Sequence, residues 1–199
     1  MADPSDYLGT PPEILKPILA NLADLFRQME NAYTAVADAY GFKCSGCEDN
    51  CCLTRFYHHT LLEYLYLYSG YSKLPEAERV VLRQRAARVN QAMENADARG
   101  EKTRSMCPLN LDGLCALYRY RPMICRLHGI PHEIKRPGGP VVRGPGCGDF
   151  DRQSAHKRYI SFDRTPLYVK MAVAEKEIRA RLGFTEKIKM TVARMIVSY

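Results

Sequence analysis

The sequence predicts a mainly α fold: a shell of helices around a cysteine-rich centre of loops and short hairpins. Three observations carry that expectation. Apolar residues recur at three- and four-residue spacing towards both ends of the chain, the period of a helix with one buried face. The turn formers Asp112-Gly113 and Pro137-Gly138-Gly139-Pro140 fall between those stretches. All eight cysteines lie in two groups between residues 44 and 147, between the most periodic segments.

The first helix is expected over 11–40. Thr10-Pro11-Pro12-Glu13 has the capping-box pattern, with prolines where the first amides need no partner. Ile14, Ile18, Leu22, Leu25, Phe26, Met29, Tyr33, Val36 and Tyr40 form its apolar stripe, read as core packing, and Gly41 is its stop. Pro17 either kinks the opening turns or marks the true start. A second helix is expected from near Thr60 to Gly70, and a third from Pro75 to Gly100, with Glu76 and Glu78 in its dipole-favoured first turn. The third helix is read as burying Val80, Val81, Val89, Ala92 and Met93, which leaves Arg83, Arg85 and Arg88 in solvent.

Asp112-Gly113 is expected to close one hairpin, and 137–140 another that pairs Glu133–Lys135 with Val141–Arg143. Residues 144–164 read as polar and irregular. Two helices, 166–182 and 186–197, close the chain; Leu167, Met171, Ala174, Ile178 and Leu182 mark the first one's buried face, and Gly183 ends it. The whole chain, 1–199, is read as a single domain with its own core and the cysteine-rich part, about 44–147, in its middle.

A chain that is 46% hydrophobic and 26% charged has the composition of an ordinary globular protein and needs no cross-links merely to hold together. The opening Met1-Ala2-Asp3-Pro4-Ser5-Asp6 lacks the basic start and apolar run of a secretory signal, and no stretch approaches the roughly 20 apolar residues of a bilayer span. A cytoplasmic location with no membrane partner is therefore expected. In that reducing compartment eight cysteines are poor candidates for four disulfides, and metal binding becomes their expected use.

The spacing points the same way. Cys44-Ser45-Gly46-Cys47 is a C-x-x-C, the tight turn that aims two thiolates at one ion, and Gly46 eases such a turn. After three residues comes the adjacent pair Cys51-Cys52; Cys107, Cys115, Cys125 and Cys147 follow the third helix. Neighbouring side chains diverge, so Cys51 and Cys52 are expected to serve different metals, or one to bind while the other packs. Eight thiols agree with two four-thiolate sites, or with one cluster and a structural remainder.

The formal charge of +7 invites a nucleic-acid reading. Thiolates change it: eight of them with two divalent ions would bring the balance to about +3. Nucleic acid is left as a residual alternative, beside a protein redox or substrate partner. There is no P-loop and no dinucleotide fingerprint. His58 and His59 have no partner at ligand spacing; His128, three residues after Cys125, could form a Cys-x-x-His pair and His132 lies four residues beyond it, but eight thiols already suffice for two sites.

The run Cys115-Ala116-Leu117-Tyr118-Arg119-Tyr120-Arg121-Pro122-Met123-Ile124-Cys125-Arg126 completes a wider pattern with Cys44-x-x-Cys47, Cys51-Cys52, Cys107-Pro108 and Gly146-Cys147. It resembles the YkgJ-type cysteine-cluster family of zinc- or iron-chelating domains. That family's signature is C-x-x-C-x-x-C-C, then C-P, then C-x-x-Y-x-x-R-P-x-x-C-R and a final cysteine. All eight cysteines find a counterpart; this chain has one more residue, Glu48-Asp49-Asn50, before its double cysteine. The resemblance implies metal binding by Cys44, Cys47, Cys51, Cys52, Cys107, Cys115, Cys125 and Cys147. It favours an iron–sulfur cluster, of 4Fe-4S type, with a redox, sensing or cluster-dependent enzymatic role. The alternative is a zinc-binding interaction module without catalysis. Arg121 and Arg126 are expected either to stabilise thiolate charge or to pair with an acid such as Asp112 or Asp149, and Tyr118 to pack with a bonded hydroxyl.

Overall fold

In the computed structural model of the chain, residues 3–44, 51–154 and 156–199 are described. They form a mainly α structure: α1 (Pro12–Ala39), α2 (Leu61–Tyr71), α3 (Glu76–Ala98), α4 (Met123–Leu127), α5 (Gly148–Ser154), α6 (Thr165–Leu182) and α7 (Val192–Ser198). Two short antiparallel hairpins, β1 (Asn110–Leu111) with β2 (Leu114–Cys115) and β3 (His132–Lys135) with β4 (Val141–Gly144), lie between α3 and α5.

The long first helix follows its stripe. Ile18, Leu22, Leu25, Phe26, Met29 and Ala37 are buried, while Ile14, in the overhanging first turn, is exposed. Pro17 lies inside the helix, which continues through it. The cap is Pro11 without a side-chain bond, and Thr10 instead donates its hydroxyl to the Tyr7 carbonyl at 2.7 Å. Gly41 takes φ +60 as expected, and the amides of Gly41 and Phe42 close the last turn on Asp38 and Ala37.

Helix α2 is the centre of the fold. It is apolar nearly all round, and Leu61, Leu62, Tyr64, Leu65 and Leu67 are all buried. Thr60 caps it through Glu63, and the carboxylate of Glu175, on α6, accepts the amides of Leu61 at 2.8 Å and Leu62 at 3.0 Å. At Gly70 a Cβ would lie 2.3 Å from the Tyr120 ring, so only glycine lets the 118–120 turn approach.

Helix α3 turns a different face inward from the one the sequence predicts. Leu82, Ala86, Met93 and Ala96 are buried, Val80, Val81 and Ala92 are exposed, and Val89 is intermediate. The true stripe has helical period but is half alanine, and so is dim in hydropathy. Arg85 is not solvated either: it donates to the Asn110 carbonyl at 2.6 Å. Helix α7 packs on α3 and starts at Val192 rather than 186. The chain before it is held extended by a backbone bridge between His58 and Met190, and Thr191 supplies the cap.

Both hairpins form, the first at the expected turn and the second in the expected register. β1 (Asn110–Leu111) and β2 (Leu114–Cys115) are joined by Asp112 at φ +50 and Gly113 at φ +88, the positive pair of a type I′ turn. β3 (His132–Lys135) pairs with β4 (Val141–Gly144), Lys135 facing Val141. The segment expected to be irregular, 144–164, contains α5, whose Phe150 packs edge-on against Tyr40 and Phe42. Leu109, Leu117, Leu127, Ile130, Phe150 and Phe162 carry the loop region into the core. Among the described residues no helix is long and apolar enough to cross a membrane.

Candidate metal centre

Seven of the eight expected ligands line one cavity of about 940 Å³: Cys44, Cys51, Cys52, Cys107, Cys115, Cys125 and Cys147. Cys47 and the turn glycine Gly46 lie outside the described residues. The seven are free thiols.

Each is delivered by local geometry. Cys44 leaves the end of α1, where the Gln153 side chain brackets Lys43 by bonds to its amide and carbonyl at 3.2 and 3.0 Å. Cys51 and Cys52 sit in a single 3-10 turn. The Cys107 amide donates to the Cys52 carbonyl at 2.8 Å, and the Asn110 amide to the Cys107 carbonyl at 3.0 Å. Asn110 in turn faces Cys115 across the hairpin, so Cys52, Cys107 and Cys115 are tied into one corner. Cys125 is on α4, which begins where the Met123 amide donates to buried Glu63 at 2.9 Å. Cys147 precedes α5; its amide donates to the Gly129 carbonyl at 2.9 Å, and its sulfur accepts the Phe150 amide at 3.4 Å. Backbone amides of Leu109 and Leu117 likewise point at the sulfurs of Cys107 and Cys115. Amide-to-sulfur bonds of this kind stabilise thiolate ligands.

The electrostatics are those of thiols that cannot all ionise together. Burial pushes Cys107 up to about 12 and raises Cys115, and burial followed by repulsion from Cys107 and Cys115 holds Cys125 well above the usual thiol range. Within the adjacent pair, the hydrogen bond between the two sulfurs raises Cys51 and lowers Cys52. A bound cation would favour the thiolate forms, because ligation offsets the cost of the buried charge.

Arg121 and Arg126 pair with an acid, though with neither Asp112 nor Asp149. Both meet Glu30 of α1, Arg121 at 3.0 Å. Arg126 is buried, lies 4.2 Å over the Phe26 ring, and donates to the carbonyls of Arg121 and Arg119. The two cations also favour ionisation of Cys115. Tyr118 is exposed rather than packed, with the Arg121 guanidinium 3.8 Å over its ring. His58 and His59 both precede α2: His58 is buried 3.9 Å from Glu63, and His59 Nδ1 is 2.9 Å from the Ile188 carbonyl. His128 lines the cavity beside Phe56, their ring centroids 5.2 Å apart.

Glu30, Tyr33 and Glu63 shape this site and are absent from the sequence-based set. Glu30 had a visible signal, a carboxylate set among Phe26, Met29 and Tyr33 on the apolar side of α1. Glu63 and Tyr33 had none, since their roles depend on segments far away in the chain.

Among the described residues no group of three or more His, Cys, Asp or Glu side chains stands in a metal-holding arrangement. The thiols line a cavity without closing into a coordination shell. Their donor type, and the amides directed at three of them, nonetheless fit a thiophilic metal. No protein-family model, curated protein or solved structure matches the chain.

Proposed function

We propose that the chain is a cysteine-ligated metalloprotein that carries an iron–sulfur cluster, of 4Fe-4S type, in the cavity between α1, α4 and the β1–β2 hairpin. One observation carries this reading: seven thiols from six separate positions along the chain line a single cavity. The resemblance to the YkgJ-type cysteine-cluster family supports iron in particular. Cys44, Cys51, Cys52, Cys107, Cys115, Cys125 and Cys147 are the residues that would hold it, with Cys47 of the C-x-x-C as the eighth. Such a group supplies reversible one-electron chemistry, with a potential set by charge and by hydrogen bonds to its sulfurs. The protein's own part is to direct amides at the sulfurs, to place Arg121 and Arg126 beside Cys115, and to restrict water.

The test is metal and acid-labile sulfide analysis, with a visible spectrum, on protein purified under reducing conditions without oxygen. Iron, sulfide and visible absorption together are the expected result. Zinc alone from the same preparation would favour the interaction-module alternative. Protein with intact thiols and no metal would end the metal reading altogether.

A further inference from the structure

We propose that Arg164 is the buried counter-charge of the cysteine-lined centre and the clamp that sets Cys125 and Cys147 upon it. The inference rests on the metal–thiolate reading of that cavity and assigns a charge-balancing and positioning residue to it.

Arg164, immediately before α6, is 1% exposed. Its neighbour Asp163 is turned away, to Lys135 at 3.1 Å and to the Thr165 amide at 2.9 Å. Among the described residues Arg164 forms no ion pair with a carboxylate and its Nε has no hydrogen-bond partner, although the guanidinium does bond the Tyr168 side chain. Its Nη2 donates to the carbonyls of Leu127 and Ile130, and its guanidinium lies 5.1 Å from the Phe162 ring. Burial lowers its pKa to about 10, which leaves it a cation at neutral pH. A buried cation without an anion is costly, and a chain that keeps one gains by setting negative charge nearby.

The surroundings indicate where that charge is. The two clamped carbonyls flank the segment 127–130, which begins two residues after Cys125. Within it, Gly129 accepts the Cys147 amide and has φ +124. A Cβ on Gly129 would come 2.6 Å from the Tyr33 hydroxyl, so this stretch lies against the ring of Tyr33 on the cavity wall. Tyr33 feels both sides: after burial, Cys44 and Cys147 raise its hydroxyl while Arg164 lowers it. Arg164 thus stands one layer behind the wall, with Tyr33 and Gly129 between it and the sulfurs. Arg121 and Arg126, on the wall itself, already share the carboxylate of Glu30. Arg164 shares no such acid: its side-chain partner is Tyr168, and its field reaches the cavity through Tyr33, the residue that Cys44 and Cys147 also act on.

The test compares wild type with Arg164→Gln, which keeps a donor and loses the charge, and Arg164→Lys, which keeps the charge and loses the fork. Each protein is purified reduced and without oxygen, and release of its iron or zinc to an excess of chelator is followed. R164Q is expected to release metal at least about tenfold faster than wild type and R164K within about twofold, the range typical of groups one layer behind a metal. A wild-type protein that holds no metal would overturn the metalloprotein reading, and this inference with it. A loaded wild type whose R164Q releases metal at the same rate would overturn this inference alone. Should R164Q lose its helical circular dichroism, R164K decides: release as slow as wild type supports the counter-charge, and release tenfold faster overturns it.

Discussion

Helix α2 and the arch from Cys107 to Cys147 lie side by side and are held together by different forces. In α2 the side chains do the work: leucines and tyrosines pack on every face, against α1 and α6. The arch is held largely by backbone atoms, with Cys107 bonded to Cys52, Ala116 to Leu109 and Cys147 to Gly129, and by arginines that reach carbonyls. Apolar packing tolerates changes in charge and fails on loss of volume. A polar arch around a cavity does the reverse, because each buried bond is specific and its loss leaves a stranded partner.

The strongest way to break this comparison is to remove the metal proposed for the cavity. Stripping it under reducing conditions is expected to speed amide exchange at Cys107, Ala116 and Cys147 by orders of magnitude, while the α2 interior stays protected, since metal–thiolate bonds in small sites contribute roughly 10–16 kcal/mol to folding. The four core residues that the arch supplies, Leu109, Leu117, Leu127 and Ile130, will limit the loosening to its cavity side. Equal protection with and without metal would show that the arch is as self-sufficient as the helix.

Next in size is loss of volume in the helix. Leu65→Ala, at a site 1% exposed, should cost about 2–5 kcal/mol in urea denaturation and leave metal content unchanged. Metal loss in parallel with stability would mean that the two regions form one cooperative unit.

Glu63 joins the two regions and sharpens the contrast through pH. Burial pushes its carboxyl up, but His58, Thr60 and the Met123 amide together outweigh that and hold it below the usual range. A depressed carboxylate contributes stability that is complete above its unfolded value and is lost as pH falls through the folded one. Wild type should therefore lose stability as the pH drops below about 4.5, and Glu63→Gln should flatten that slope. Identical acid profiles would refute the assignment. The smallest effect belongs to the exposed Glu177–Arg181 pair on α6, where Glu177→Gln should change stability by less than about 0.5 kcal/mol.

Legibility in the sequence followed the same division. The stripe of α1, the Gly183 stop, the Asp112-Gly113 turn and the second hairpin register could be read because each is local and chemically loud. The α3 face was misread because Val80 and Val81 outshine the alanines that are buried. Helix α5 was missed because it is only seven residues long and depends on Phe150 reaching Tyr40 and Phe42. For the site, the cysteine positions were visible and their surroundings were not. No spacing rule links Glu30 to Arg126 across 96 residues, or Arg164 to the Leu127 carbonyl across 37.

The carboxylate of Glu175 that closes the start of α2 bears on how the chain is made. It lies 114 residues downstream of Leu61. During synthesis α2 therefore emerges with two open amides and waits for most of the chain before its cap arrives, a long-range closure that slows folding relative to local contacts. Fragments ending before α6 should show a frayed, sticky α2 whose leucines have nothing to cover them. The central helix leaves the ribosome well before α6 and is finished only once α6 has followed it.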